Sequence, residues 1–307
     1  MVNPALSMLI VVGLFVCILL RPSSTTPGKI VLLIVAMIMF GPISVAVMDA
    51  ENAAVPWKFD YFLQLLDNTL GISAFSIARS FTTWQRSILF GIYETLGYWM
   101  IVWYALNQRF AGGQPRQLLN SYGLSYGLAP LFYLMVPACG PRHAFGSVFP
   151  AGVPLVTATP VQLDYWPNAI PSLHLTSAIL LVHFSGGNSF WRRLACLYLA
   201  GTAAATLAFE HYLIDLIVAV PYAYFVICFS KGNRKLGLFQ LTVVLGWLLS
   251  IRFGTALLIQ APALLQAAAT ATLLMGLVTE RWTRTLPAKT PAGGAGKAKE
   301  ATCAATC

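Results

Sequence analysis

The sequence predicts an all-α polytopic membrane protein with about nine spans. Three observations carry this. Mean hydropathy is +0.72. Of the 307 residues, 58% are hydrophobic and only 9% are charged. Mostly apolar runs of roughly 20 residues, the length that crosses a hydrocarbon core about 30 Å thick, recur along the whole chain. Such a composition excludes an ordinary soluble domain.

The runs fall at 5–20, 30–48, 86–106, 118–137, 172–184, 192–209, 212–229, 236–251 and 254–278. The first has no basic segment ahead of it and no small-residue cleavage site before Arg21, so it reads as a retained span rather than a secretory signal. Residues 49–85 form a loop carrying Trp57, Phe59, Tyr61, Phe62 and Phe75 among Asp49, Glu51, Asp60 and Asp67, a mixture that suits helices lying in the membrane interface. Asp60 and Asp67 share one helical face and read as solvated carboxylates. A second loop, 138–171, is dense in Pro and Gly and contains Gly140-Pro141-Arg142-His143, which predicts a shaped, non-helical segment.

The boundary between the sixth and seventh runs follows from length. Nothing near Glu210 breaks a helix between 192 and 229, yet a single helix there would be about 57 Å long, nearly twice the hydrocarbon thickness. The break belongs at Phe209-Glu210-His211, the polar place in that stretch, so His211 opens a span at the outer face.

The basic residues set the orientation, since Lys and Arg collect in short cytoplasmic loops. Alternate loops and the tail hold 14 of the 19, leaving Lys58, Arg79, Arg86, Arg142 and Arg252 on or beside the other face. This puts the N-terminus outside and the C-terminus in the cytoplasm. The net charge of +9 is then orientation bias, and no basic stripe with interleaved aromatics points to nucleic acid. The predicted organisation is N-terminal helices with an outer loop over 1–85, a catalytic membrane core over 86–230, C-terminal helices over 231–280, and a disordered cytoplasmic tail over 281–307. The six cysteines show no zinc spacing and no disulfide framework.

Ionisable groups inside such a chain are expensive and mark a functional site. His174 opens a span behind Pro171 and Ser172, where a missing proline N–H costs least and a hydroxyl can cap. His211 opens the other, and Asp215 follows it by four residues, on the same face one turn deeper. Both helices present free N–H groups and positive dipole ends to one leaflet, a ready anion site. A carboxylate can hold the proton of one imidazole nitrogen and leave the other as a nucleophile. With a second histidine opposite, the set fits in-line phosphoryl transfer: His211 attacks phosphorus, and His174 protonates the departing oxygen and then activates the acceptor. Either histidine taken alone also fits an interfacial residue with ordinary hydrogen bonds.

Pro171-Ser172-Leu173-His174 and Glu210-His211-Tyr212-Leu213-Ile214-Asp215 resemble the Pro-Ser-x-His and His-x-x-x-Asp elements of the type-2 phosphatidic acid phosphatase superfamily. Their spacing is most similar to the branch of inositol phosphorylceramide synthases and sphingomyelin synthases. The resemblance spans about residues 86–230. It implies a six-helix core with flanking transmembrane helices, a nucleophile at His211, its orienting acid at Asp215 and an acid/base at His174. The phosphatase members carry a Lys-to-Arg-Pro element and a Ser-Arg pair; here Ala204 and Ala205 stand at the latter positions, and no such Lys element is present.

Arg142 is then the obvious outer-face cation, with His143 beside it; snorkelling is its alternative role. Glu94, about 12 Å into its span, is a candidate partner for Arg142 or for an acceptor hydroxyl, and Glu210 can polarise an acceptor. Candidate substrate-binding residues are thus Arg142, His143, Glu94, Glu210 and Ser172. His183, about 13 Å deeper than His174, reads as an inner-interface residue. A phosphomonoester carries about −1.5 to −2 charges and a diester one, so a site with a single Arg suits the diester. The predicted reaction is transfer of a phosphate-linked head group from a membrane phospholipid to a lipid or polyol acceptor at the extracytoplasmic face, with no metal or other cofactor. The alternatives are a lipid phosphate or isoprenoid diphosphate phosphatase using the same residues, and a non-catalytic lipid or proton-coupled transporter. A metalloprotease lacks support, because His-Glu-x-x-His is absent.

Overall fold

The computed structural model of the chain describes residues 43–109, 114–150, 159–185 and 189–285. The run at 5–20, most of that at 30–48 and the segment from 286 onward lie outside the described residues. Helix α1 is described over 43–54, followed by β1 (Trp57–Lys58), α2 (Asp60–Leu70), α3 (Ala74–Ser80), α4 (Thr83–Arg109), α5 (Pro115–Met135) and the short α6 (Pro141–Phe145). Then come β2 (Val161–Gln162), α7 (Leu173–His183), α8 (Ser189–Phe209), α9 (Leu213–Ser230), α10 (Arg234–Gln260) and α11 (Pro262–Thr285).

Local chemistry sets these limits. Pro115 and Pro141 stand in the first turns of α5 and α6, where no backbone donor is missed. Ser73, Ser172 and Asn233 cap α3, α7 and α10 by accepting backbone N–H bonds from Phe75, Leu175 and Leu236. β1 and β2 pair antiparallel, Trp57 opposite Gln162, and so tie the segment after α1 to the one before α7.

Helix α9 is the centre of the bundle, packing against α2, α5, α7, α10 and α11. Its most apolar stretch is 78% buried, against 33% for α10 and 28% for α11. The outer two instead present Phe253, Leu257, Leu277 and Val278 outward, as lipid-facing helices do. By length and composition α9, α10 and α11 are long and apolar enough to cross a membrane. The chain is thus mostly helical, with three candidate spans among the described residues rather than a visible set of nine.

Several boundaries differ from the sequence reading. Helix α7 has 11 residues, about 16 Å, too short to cross alone. The last two runs meet at Ala261 ahead of Pro262, not near Arg252; that arginine lies within α10 and donates to the Met135 carbonyl at 2.5 Å. Helix α11 continues to Thr285, past the boundary placed at 280. Most consequential is α2. It packs on α9, α10 and α11 instead of lying free in the interface, and Asp60 and Asp67 are 0% exposed rather than solvated.

Candidate active site

The break between α8 and α9 builds the first half of the site. Glu210 and His211 both donate their N–H to the Thr206 carbonyl at 2.9 Å, which ends α8. Tyr212 is extended (φ −81°, ψ 158°) and stands at the N-cap of α9, and the Asp215 carboxylate accepts the Tyr212 N–H at 2.9 Å. His211 therefore lies just ahead of the helix, not inside its first turn. The chain folds back through the cap and still brings His211 Nδ1 to 3.4 Å from Asp215 Oδ2, with both side chains buried.

His174 is the second residue of α7, whose N-terminus lies beside that of α9: the Ser172 N–H donates to the Asp215 carbonyl at 3.5 Å. The His174 and His211 rings are 5.9 Å apart between centroids, at 63°. A nitrogen about 3–3.5 Å from phosphorus and another at hydrogen-bond distance from its leaving oxygen fit such a spacing. Tyr93, from α4, stacks on His174 at 3.9 Å and 22°. Sequence reasoning passed over Tyr93, whose position among the other aromatics of α4 carries no distinguishing pattern.

Arg142 and His143 converge on Glu210: Arg142 Nη1 lies 3.3 Å from one carboxylate oxygen and His143 Nε2 lies 2.7 Å from the other. His143 also stacks on Tyr165 at 3.6 Å. Gly140 permits this approach. Its φ of +86° and ψ of 160° lie in a region essentially reserved for glycine, and a Cβ there would clash with the Glu210 carbonyl oxygen. Glu94 is exposed, and Arg142, its candidate partner, is held by Glu210 instead.

The free N–H end expected on the His211 helix is not free. Asp67 Oδ2 accepts the Leu213 N–H at 2.8 Å, and Oδ1 accepts the Ile214 N–H at 3.1 Å. Asp60 accepts the Gly140 N–H at 2.8 Å, the Cys139 N–H at 3.1 Å and the Tyr212 hydroxyl at 3.0 Å. Burial pushes the Asp60 carboxyl up to about 6, while the Cys139 N–H and the Tyr212 hydroxyl pull it back. Asp67 is raised by burial as well, with the Leu213 N–H opposing. A signal for both was present: Asp60, Leu63, Gln64, Leu66 and Asp67 form the buried face of α2, so the carboxylates stand in the register of its apolar stripe.

At the other end of the bundle His183 is buried and paired. Lys231 Nζ lies 3.3 Å from its Nε2, which leaves Nδ1 to donate to Glu280 Oε2 at 2.6 Å. Glu280 also binds Arg284, and Lys231 and Arg284 donate to the carbonyls of Thr283 and Val182, each at 2.7 Å. Among the described residues no three or more His, Cys, Asp or Glu side chains are grouped to hold a metal ion.

No curated protein and no solved structure matches the chain. A family model described as the PAP2 superfamily matches residues 62–229, over half the sequence and the whole of the His174, His211 and Asp215 cluster, and the chain therefore belongs to the PAP2 superfamily.

Proposed function

We propose that this chain is an integral membrane lipid phosphotransferase, similar to the inositol phosphorylceramide and sphingomyelin synthases, that moves a phosphate-linked head group between lipids at the extracytoplasmic face. Members of the superfamily are generally phosphatases or phosphotransferases. The observation that supports a phosphohistidine route is the convergence of His174 on His211 with Asp215 behind the latter, and the charge of the site supports transfer over hydrolysis.

In the proposed first step His211 Nε2 attacks the phosphorus of a diester. An N–P bond forms, the bond from phosphorus to the lipid oxygen breaks, and His174 gives that oxygen a proton. In the second step an acceptor hydroxyl attacks phosphorus, the N–P bond breaks, and the hydroxyl proton passes to His174. Asp215 stabilises the imidazolium character that His211 gains on attack.

Charge favours a diester donor. Arg142 is already paired with Glu210, and the first N–H groups of α9 are taken by Asp67. A doubly charged monoester would be under-neutralised in a low-dielectric cleft. The extracytoplasmic placement is supported by the 14-to-5 partition of basic residues.

The test is a competition on purified protein between phosphatidic acid and phosphatidylinositol, both radiolabelled at phosphorus, with a lipid alcohol present. The proposal expects a new phospholipid from the diester. Preference for phosphatidic acid, with free phosphate as the main product, would make this chain a lipid phosphate phosphatase instead.

A further inference from the structure

We infer that Asp67 is a positioning residue for the nucleophile: from α2, it caps the helix that His211 precedes and so leaves Asp215 free to hold the His211 imidazole. This rests on the reading of His211 as nucleophile.

The first turn of any helix has N–H groups without partners inside the helix, and a carboxylate three residues past the cap is well placed to claim one or more of them. Asp215 occupies that position in α9 and already accepts the Tyr212 N–H at 2.9 Å. The next two donors, on Leu213 and Ile214, would compete for the same carboxylate. Asp67 takes both, one on each oxygen, at 2.8 and 3.1 Å. Asp215 is left with Oδ2 accepting the Tyr212 N–H and lying 3.4 Å from His211 Nδ1, and with Oδ1 buried and unclaimed by the helix.

A carboxylate that is 0% exposed and lies 146 residues away in sequence is an unusual cap. Local side chains ordinarily do that work from the N-cap itself. Tyr212, at the N-cap here, directs its hydroxyl to Asp60. Asp60 divides the labour: it grips Cys139 and Gly140, the residues that lead into Arg142 and His143. The two aspartates, seven residues apart on one face of α2, thus hold the site differently: Asp67 grips only the start of α9, and Asp60 joins that start, through the Tyr212 hydroxyl, to the Cys139–Gly140 turn. Asp67 acts on the reacting imidazole and Asp60 on the loop that meets the substrate.

The experiment is steady-state turnover of radiolabelled phosphatidylinositol in detergent, normalised to folded protein by thermal melting, together with the rate of phosphohistidine formation. Asp67→Asn keeps one acceptor and places an amide donor against the remaining N–H. It should lower kcat and phosphoenzyme formation by at least about tenfold, toward the hundredfold expected for a reacting group displaced by about 1 Å, with KM changed less than about twofold. Asp60→Asn should do the reverse, raising KM more than it lowers kcat. Leu213→Pro tests the bond from the donor side, at a first helical position that tolerates proline after an extended residue, and should lower kcat severalfold in a protein that still folds.

Wild-type kcat per folded molecule in Asp67→Asn or in Leu213→Pro overturns the inference, as does a loss confined to melting temperature. His211→Ala, run alongside, separates the two levels: activity surviving in that variant overturns the nucleophile reading itself, whereas an inactive His211→Ala with a fully active Asp67→Asn overturns only the positioning role.

Discussion

His174 makes ring contacts with Tyr93 and His211 and no hydrogen bond among the described residues, so stacking fixes the plane of its imidazole. An aromatic pair of this kind contributes about 0.5–1.5 kcal/mol, a factor of about 2–10 in rate if it acts wholly on alignment. Tyr93→Phe should keep turnover within about twofold, and Tyr93→Leu should lower it by up to about tenfold; paired kcat measurements on the two variants decide this. For the proposed nucleophile, His211→Ala should abolish the acid-labile phosphoenzyme. Asp215→Asn should slow its formation by at least on the order of 10²-fold, read by rapid-quench trapping. The residues legible in the sequence were those whose partners are near in the chain: Ser172 with Leu175, and His211 with Asp215, three and four residues apart. Arg142 and Glu210 were both singled out, but their pairing spans 68 residues and leaves no trace in local spacing.

At the scale of elements, the break at 209–212 was readable because a membrane imposes a length limit, and no such limit applies to α2. Its aromatic and acidic composition fits an interfacial helix as well as a buried one, and only the contacts with α9, α10 and α11 decide between them. The loop leading into α6 depends on a single glycine. Gly140→Ala would combine a backbone region disfavoured by about 1–3 kcal/mol for other residues with a clash against the Glu210 carbonyl. It should destabilise the protein by at least about 2 kcal/mol and raise KM in the fraction that folds. A melting curve and a substrate titration on the same preparation test both parts, and unchanged values would remove Gly140 from the account of the site.

In the whole molecule, α10 and α11 lie beyond the family match, yet Glu280 of α11 reaches His183 at the far end of the helix that carries His174. Removing one member of a buried charged set destabilises on the order of 3 kcal/mol. Glu280→Ala should accordingly lower the melting temperature by several degrees while leaving kcat per folded molecule near wild type. A fall in kcat at constant stability would instead show that the His183–Glu280 end communicates with the site. Orientation has its own measurement. In a background without accessible thiols, Ser147→Cys should react with an impermeant reagent in intact cells and Lys235→Cys should not. The opposite labelling would invert the topology and place the chemistry in the cytoplasm.

The bonds from Asp67 to Leu213 and from Asp60 to Tyr212 close loops of 146 and 152 residues. During synthesis α2 leaves the ribosome first, and at about 5–20 residues per second its α9 partners follow roughly 7–30 s later. For that interval Asp67 has neither of the α9 donors that later satisfy it, while Asp60 gains the Cys139 and Gly140 N–H groups about halfway through. The binding pocket thus cannot pre-assemble on a partial chain, and loop closure over such a span is among the last entropic costs met in folding. Nascent chains halted before residue 212 should therefore remain open to protease around 60–70, and protection there should arise only when α9 is in place, making the completed site its own marker of finished biogenesis.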